Sequence, residues 1–517
     1  MGEGAARVWV TGAADFGEID TPTLAPRDLT AADEAQPRSV DCRPPPARRH
    51  VLRSTTPRRR DRLTCIHFAY CIDAIDARFR GTESRECVSV SGIDRSDSNT
   101  IAGREMTSQI LFRNLELLDP RWDEPRGGYE VLVEGETIKE VAHKAIKAKG
   151  ATAVDCGKRI LMPGLIDCHV HVFLSEVYIR NLEQVPLTLM TARASDLMRA
   201  MIDRGFTTVR DTGGADWGIK LAVETGLLPG PRLFISGRAI GPTGGHSDAR
   251  RRTDTGGSCA CCNAMNYVME IVDGADAVRK AVREQMRQGA DQIKIMCSGG
   301  VASPYDPLDS LQFSPGEIAA AVEEAHAFGR YVLAHAYTAE AITRAVSNGV
   351  RTIEHGNLID APAAKLLASR NGFMVANLVT YFVMKERGAH FGMTPEMLAK
   401  NDIVLDGALR SLEICKKAGV SVGYGSDLLG PLQSEQSSEF IFRARVLKPI
   451  EIVRQATIIG AQILRQEGKL GIVEAGAFAD LIVVDGNPLK KLELFLDQGA
   501  HLPVIMKAGR FHKNKLN

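Results

Sequence analysis

Between residues 160 and 466, short apolar runs alternate with stretches whose apolar positions recur every three or four residues. A period of two marks a strand and a period near 3.6 a helix, so this alternation predicts repeated strand–helix units. Strands are expected at 160–169, 206–211, 232–237, 292–297, 331–336, 351–355, 373–377 and 420–425. Helices are expected at 276–288, 315–328, 339–347, 402–417 and 450–466. Eight such units in roughly 300 residues suit an α/β chain folded as a (β/α)8 TIM-like barrel, with its active site at the C-terminal ends of the strands. On either side the pattern changes to short alternating segments: 110–112, 129–133 and 138–141 before the barrel, 479–485 and 503–507 after it. The turn Glu134-Gly135-Glu136 makes a hairpin of two of them. Neither flank buries a core alone, so residues 106–160 and 468–517 are expected to join in one small β-sandwich domain beside a barrel over 161–467.

Residues 1–105 do not share this patterning. Every basic residue in them is Arg, the first Lys of the chain being Lys139, and Pro44-Pro45-Pro46 and Arg58-Arg59-Arg60 belong to Pro- and Arg-rich patches. Such composition reads as disordered. Glu3, Asp15, Glu18 and Asp20 disfavour a secretory signal or a transit peptide. The next methionine after Met1 is Met106, just before the globular pattern begins, so Met106 is expected to be the natural start and the leader a mis-assigned upstream reading.

A net charge of +1 gives no electrostatic case for nucleic acid or an anionic membrane surface as partner. No apolar run reaches the roughly 18 residues of a membrane span. Eleven scattered cysteines, an odd number, argue against a disulfide framework and for a reducing compartment such as the cytoplasm. The cluster Cys259-Ala260-Cys261-Cys262 lacks a second pair at zinc-ribbon spacing. What remains is an enzyme acting on small molecules.

The expected strand ends carry the chemistry. His169 and His171 close the first strand on one face, because side chains two apart point the same way. Lys294 interrupts the apolar alternation of the fourth, His335 and His355 end the fifth and sixth, and the eighth runs into Ser426-Asp427. One strand histidine is usually a hydrogen-bonded core residue, and Asp427 alone reads equally well as a helix N-cap. Lys294 is the informative member. Between Ile293 and Ile295 an inward ammonium would be an unpaired buried charge costing several kcal/mol, so it needs a partner or a modification.

The order His-x-His, Lys, His, His, Asp on strands 1, 4, 5, 6 and 8 resembles the amidohydrolase superfamily over residues 108–512. Within it, the sequence is similar to the imidazolonepropionase-like branch of metal-dependent dipeptidases and carboxypeptidases, which includes prolidase-like and ochratoxin-hydrolysing enzymes. The phrases 163–167 (Pro-Gly-Leu-Ile-Asp), 294–301 (Lys-Ile-Met-Cys-Ser-Gly-Gly-Val), 335–337 (His-Ala-Tyr), 353–356 (Ile-Glu-His-Gly) and 425–427 (Gly-Ser-Asp) carry the resemblance. It implies two divalent metal ions, usually zinc, and an N6-carboxylated Lys294 bridging them. His169, His171 and Asp427 then hold one ion, and His335 and His355 the other. It implies attack of a metal-bridged hydroxide on an amide carbon, with Asp427 as general base and then acid. The substrates implied are dipeptides or N-acyl amino acids, cleaved by an Xaa-Pro or Xaa-Arg/Lys dipeptidase or an ochratoxin A amidohydrolase-like carboxypeptidase, in a homo-oligomer. A cyclic amide hydrolase of the imidazolonepropionase type is the alternative, and a catalytically silent scaffold barrel a remote one, since no ligand is lost.

The substrate side stays open. Tyr337 is a candidate donor to the oxyanion or to a substrate carboxylate, or a packed rim tyrosine. His246, in the Gly-rich loop 241–248, belongs either to a mobile cover over the site or to a solvated loop. Arg250-Arg251-Arg252 could meet a substrate carboxylate, and Arg210, Asp211 and Ser298 to Val301 sit where they would shape a pocket.

Overall fold

The structure is a computed structural model that describes residues 109–254 and 265–516. The expected leader, Met106 and the Cys259–Cys262 cluster lie outside these residues. Strands β1 (Gln109–Leu117), β2 (Arg126–Glu134), β3 (Thr137–Ala142), β4 (Thr152–Asp155) and β5 (Ile160–Pro163) come first. Then follow β6 (Leu165–Val170), β7 (Phe206–Asp211), β8 (Arg232–Ile235), β9 (Ala239–Gly241), β10 (Met269–Ile271) and β11 (Ile293–Met296). The remainder are β12 (Val332–Thr338), β13 (Thr352–Leu358), β14 (Phe373–Ala376), β15 (Ser421–Tyr424), β16 (Leu481–Val484), β17 (Val504–Lys507) and β18 (Arg510–Asn514).

Both flanks enter one eight-stranded sheet of order β18-β17-β16-β5-β1-β2-β3, with β4 paired to β1. β5 joins them, lying parallel to β1 on one side and antiparallel to β16 on the other. Phe112, Val131, Leu161, Val483 and Met506 fill its apolar core. The single strand expected at 160–169 is therefore two. The chain leaves this sheet at Gly164, whose N–H bonds to the Asp480 carbonyl at 2.8 Å. A Cβ there would lie 2.1 Å from Thr207 Oγ1, so only glycine lets the backbone pass between the layers.

The other strands are parallel and fall in two groups, β6-β7-β8 and β10-β9-β11-β12-β13-β14-β15. Their neighbours pair in register, Lys294 beside Leu333 and His335 beside Glu354. Buried on both sides, they read as continuous apolar runs, as parallel strands do. β15 lies against β6, where the Asp427 N–H bonds to the His169 carbonyl at 2.8 Å. Helices follow most of the strands. The one expected at 402–417 is longer, Pro395–Ala418, started by Thr394, whose hydroxyl accepts the Met397 N–H. The one expected at 450–466 is broken into Pro449–Gln455 and Ile458–Ile463 by the non-helical backbone of Thr457. No helix among the described residues is long and apolar enough to cross a membrane.

Candidate metal centre

His169, His171, Lys294, His335, His355 and Asp427 line one cavity on the C-terminal side of the parallel strands. His246 and Tyr337 line it too. Its remaining wall is apolar, with Ile179, Met269 and Met384.

Hydrogen bonds fix the direction of the imidazoles. His169 Nδ1 lies 2.9 Å from Glu354 Oε2, and His171 Nδ1 lies 2.9 Å from the Gly213 carbonyl. Each acceptor requires a proton on Nδ1, so Nε2 is the ring nitrogen left for a cation. Both Nε2 atoms face Asp427 Oδ1, at 3.2 and 3.3 Å. His335 is turned the other way, with Nε2 on the Gly299 carbonyl at 3.0 Å. His355 Nδ1 is 2.8 Å from the Tyr381 hydroxyl and 3.7 Å from Asp427 Oδ2.

The donor set fits a divalent cation. His169 Nε2 is buried with no hydrogen-bond partner, and ligand atoms from His169, His355 and Asp427 lie within 4.8 Å of one another. An orphaned nitrogen beside a carboxylate and two further imidazoles is the N/O environment that such ions take. Burial works against charge on His169, but Asp427 and Glu354 outweigh it and push its pKa up, so the local field favours a cation. Burial would raise the Asp427 carboxyl, yet the histidines around it hold it well below the usual range. Lys294, buried, is brought down to about 8 by desolvation.

Backbone strain accompanies the site. His355 has φ 76° and Asp427 φ 50°, left-handed values that non-glycine residues rarely adopt. The pairing of β12 with β13 slips just beyond His355, between Ala336 and Thr338. A bulge of this kind re-aims a side chain.

Three further residues belong to the site although the sequence did not single them out. Glu354 anchors His169 and is itself gripped by Arg210 Nη2, at 2.7 and 2.8 Å from its two oxygens. Burial would raise its pKa, but Arg210 brings it to about 2. Tyr381 links His355 to the Tyr337 hydroxyl, 3.1 Å away. Asp167 ties β6 to the segment after β15, accepting from His169 N at 3.0 Å, Ser426 Oγ at 2.6 Å and Gln436 Nε2 at 2.8 Å.

The other candidates sort themselves by position. His246 is not a solvated loop residue: its ring stacks on His335 with centroids 4.4 Å apart, and its Nδ1 lies 2.7 Å from Ser303 Oγ. Burial lowers its pKa to about 4. Tyr337 is buried in the cavity wall. Asp427 caps no helix, since Leu429 precedes the 3-10 helix Gly430–Ser438. Arg210 lies beneath the cavity on Glu354, and Asp211 binds the backbone N–H groups of Val172, Gly213 and Ala215. Arg250, Arg251 and Arg252 line a separate groove with Tyr305, and Arg250 is paired with Asp248 at 2.5 Å.

Residues 160–510 match the model of the amidohydrolase family. The chain belongs to that family. As an amidohydrolase it is a hydrolase acting on amide bonds. It is 29% identical over 411 residues to the ochratoxinase of Aspergillus niger, a match covering 77% of this chain and 85% of that one. Among solved structures it is similar to an amidohydrolase at 50% identity and TM-score 0.78, covering 79% of this chain and all of that one. It is also similar to a prolidase complexed with N-methylphosphonate-L-proline, at 46% identity and TM-score 0.77 with the same coverage.

Proposed function

We propose that this amidohydrolase is a binuclear metal-dependent enzyme that releases the C-terminal amino acid from dipeptides or N-acyl amino acids. The observation that carries the reading is the convergence of the His169 and His171 Nε2 atoms on Asp427, beside His355, in a cavity that also holds Lys294 and His335. His169, His171 and Asp427 would hold one cation and His335 and His355 the other, with Lys294, carboxylated on Nζ by CO2 with release of a proton, shared between them. When bound, divalent cations such as zinc supply Lewis acidity toward the amide carbonyl and acidify water.

The chain's own groups do the rest. Asp427 takes the proton of the attacking water and delivers it to the leaving nitrogen. Glu354 and the Gly213 carbonyl hold His169 and His171 in one tautomer, so no binding energy goes into reorienting them. Tyr337 and His246 bind the scissile carbonyl oxygen or the substrate carboxylate. The apolar wall excludes water around the departing side chain. The likeness to an ochratoxinase and a prolidase supports this substrate class. We also read the two groups of parallel strands as one (β/α)8 barrel, with the seam between β15 and β6 bridged by the Asp427–His169 and Ser426–Asp167 hydrogen bonds and the other by the Asp291 N–H on the Ile235 carbonyl at 2.7 Å.

Amino-acid release from a panel of dipeptides and N-acyl amino acids, by protein loaded with zinc and bicarbonate, tests the reading. Release of one preferred C-terminal residue is expected. No release from any member, with metal shown to be bound, would transfer the assignment to cyclic amides.

A further inference from the structure

Beside the cavity, the loop 298–306 after β11 touches three of its lining residues at once. The Gly299 carbonyl accepts from His335 Nε2 at 3.0 Å. Ser298 Oγ accepts the Tyr337 N–H at 3.1 Å, and Ser303 Oγ bonds to His246 Nδ1. The fit against His246 leaves no slack, because a Cβ on Gly300 would lie 2.0 Å from the imidazole Cε1. A shift of the loop by a fraction of an ångström therefore moves His246 and His335 together.

Three carbonyls of this loop point at one place on its outer side, and a side chain from elsewhere fills it. Lys400, on the helix Pro395–Ala418, donates to the carbonyls of Gly300 at 2.5 Å, of Ser303, and of Asp306 at 3.1 Å. All three ammonium protons are thus accounted for. The charge is balanced by Asp306, whose Oδ1 is buried with no hydrogen-bond partner and lies 3.9 Å from Nζ. The other Asp306 oxygen closes the loop on itself through the Gly300 N–H at 3.0 Å. Inward-facing carbonyls around a dehydrated cation are how proteins bind monovalent ions. Without the ammonium the Ser303 and Asp306 carbonyls would lose this partner, while that of Gly300 would keep the Ser303 hydroxyl at 3.2 Å.

We propose that Lys400 is a tethered cation seated in a carbonyl cage, and that it acts as a positioning residue which fixes His246 and His335 through the loop 298–306. Lys400 is not among the cavity-lining residues, so its effect is transmitted through the loop. The catalytic consequence rests on the proposed hydrolytic role of the cavity. The cage itself does not.

The test compares full-length wild type with Lys400→Ala, which lacks a three-carbon amine, and with Lys400→Met, which keeps the volume without the charge. Propylammonium chloride is the probe, with sodium chloride at equal ionic strength and propanol as controls. Both variants are expected to lose about tenfold or more in kcat when compared at zinc saturation, since small displacements of positioned groups, the proposed ligand His335 among them, cost rates of that order. Propylammonium should restore Lys400→Ala saturably and raise its thermal midpoint, while leaving wild type and Lys400→Met unmoved. Wild-type turnover in both variants would overturn the positioning role. A Lys400→Ala protein that gains neither rate nor thermal midpoint from propylammonium would overturn the cage. If Lys400→Ala does not fold, Lys400→Met decides, through loss or retention of kcat at full zinc content. If wild type hydrolyses nothing on the panel, the functional reading fails, while the thermal response to propylammonium still reports on the cage.

Discussion

In the terminal sheet the buried positions of β1, β2, β16 and β17 are apolar, Phe112, Val131, Val483 and Met506 among them. In β6, β11, β12 and β13 the equally buried positions carry His169, Lys294, His335 and Glu354. Burial is the same and the chemistry is opposite. The first region removes apolar surface from water and strands no polar group, so its residues serve stability. The second keeps an orphaned nitrogen at His169 and left-handed backbone at His355 and Asp427, costs that a packing role does not explain. Stability and activity should therefore separate between the two regions, and substitutions can sharpen or break that separation.

Asp427→Asn carries the largest expected effect, a fall in kcat of about 10²–10⁴-fold with the thermal midpoint nearly unchanged, followed by release of amino acid from the preferred substrate. Near wild-type turnover would remove Asp427 from proton transfer. Glu354→Gln is the change that ought to cross the boundary. It leaves Arg210 buried without its countercharge, costing about 3–5 kcal/mol in denaturant unfolding, and frees the His169 ring, weakening zinc by about 10–100-fold in a metal titration. Normal stability together with normal zinc affinity would show that the carboxylate is not the anchor.

In the terminal sheet, Phe112→Ala should cost about 3–5 kcal/mol through the cavity it opens beside Phe511, while kcat per folded molecule stays at the wild-type value. A parallel fall in kcat would mean that the two regions are mechanically coupled. Removal of metal by a chelator leaves every side chain in place. It should abolish turnover but, at zinc near a hundred times Kd, lower stability by only about 2.7 kcal/mol, both restored on adding zinc back.

Eight of the ten parallel strands were legible as short apolar runs among helical patterns, whereas β9 and β10, three residues each, are too short to show a pattern. Five of the six ligand candidates were legible because they stand at or just past the ends of those runs, and Lys294 because it interrupts one. Glu354 was hidden by the alternation rule itself. In a regular strand Glu354 and His355 point to opposite sides, so one of them should leave the site. The left-handed φ of His355 breaks the alternation, and both side chains converge on His169, Glu354 by a hydrogen bond and His355 with ring centroids 5.0 Å apart. Tyr381 was hidden for another reason. It sits on the helix Val379–Arg387, whose buried residues look like any core-facing stripe, and only the packing of that helix brings its hydroxyl to His355. The division of residues 160–169 at Gly164 rests on a contact with Thr207 that no local pattern encodes.

The pairing of β5 with β16 sets a timetable as well as a boundary. Leu161 finds its partner in Val483, about 320 residues later in the chain. At a synthesis rate of roughly 5–20 residues per second, on the order of 16–64 s separate the two on the ribosome. During that interval β1, β2, β3 and β5 are complete, but one edge of β5 has nothing to pair with, and an open strand edge invites other chains. The parallel strands and their helices are all made within the same interval, so they can pack first, and the last segments of the chain then seal the edge.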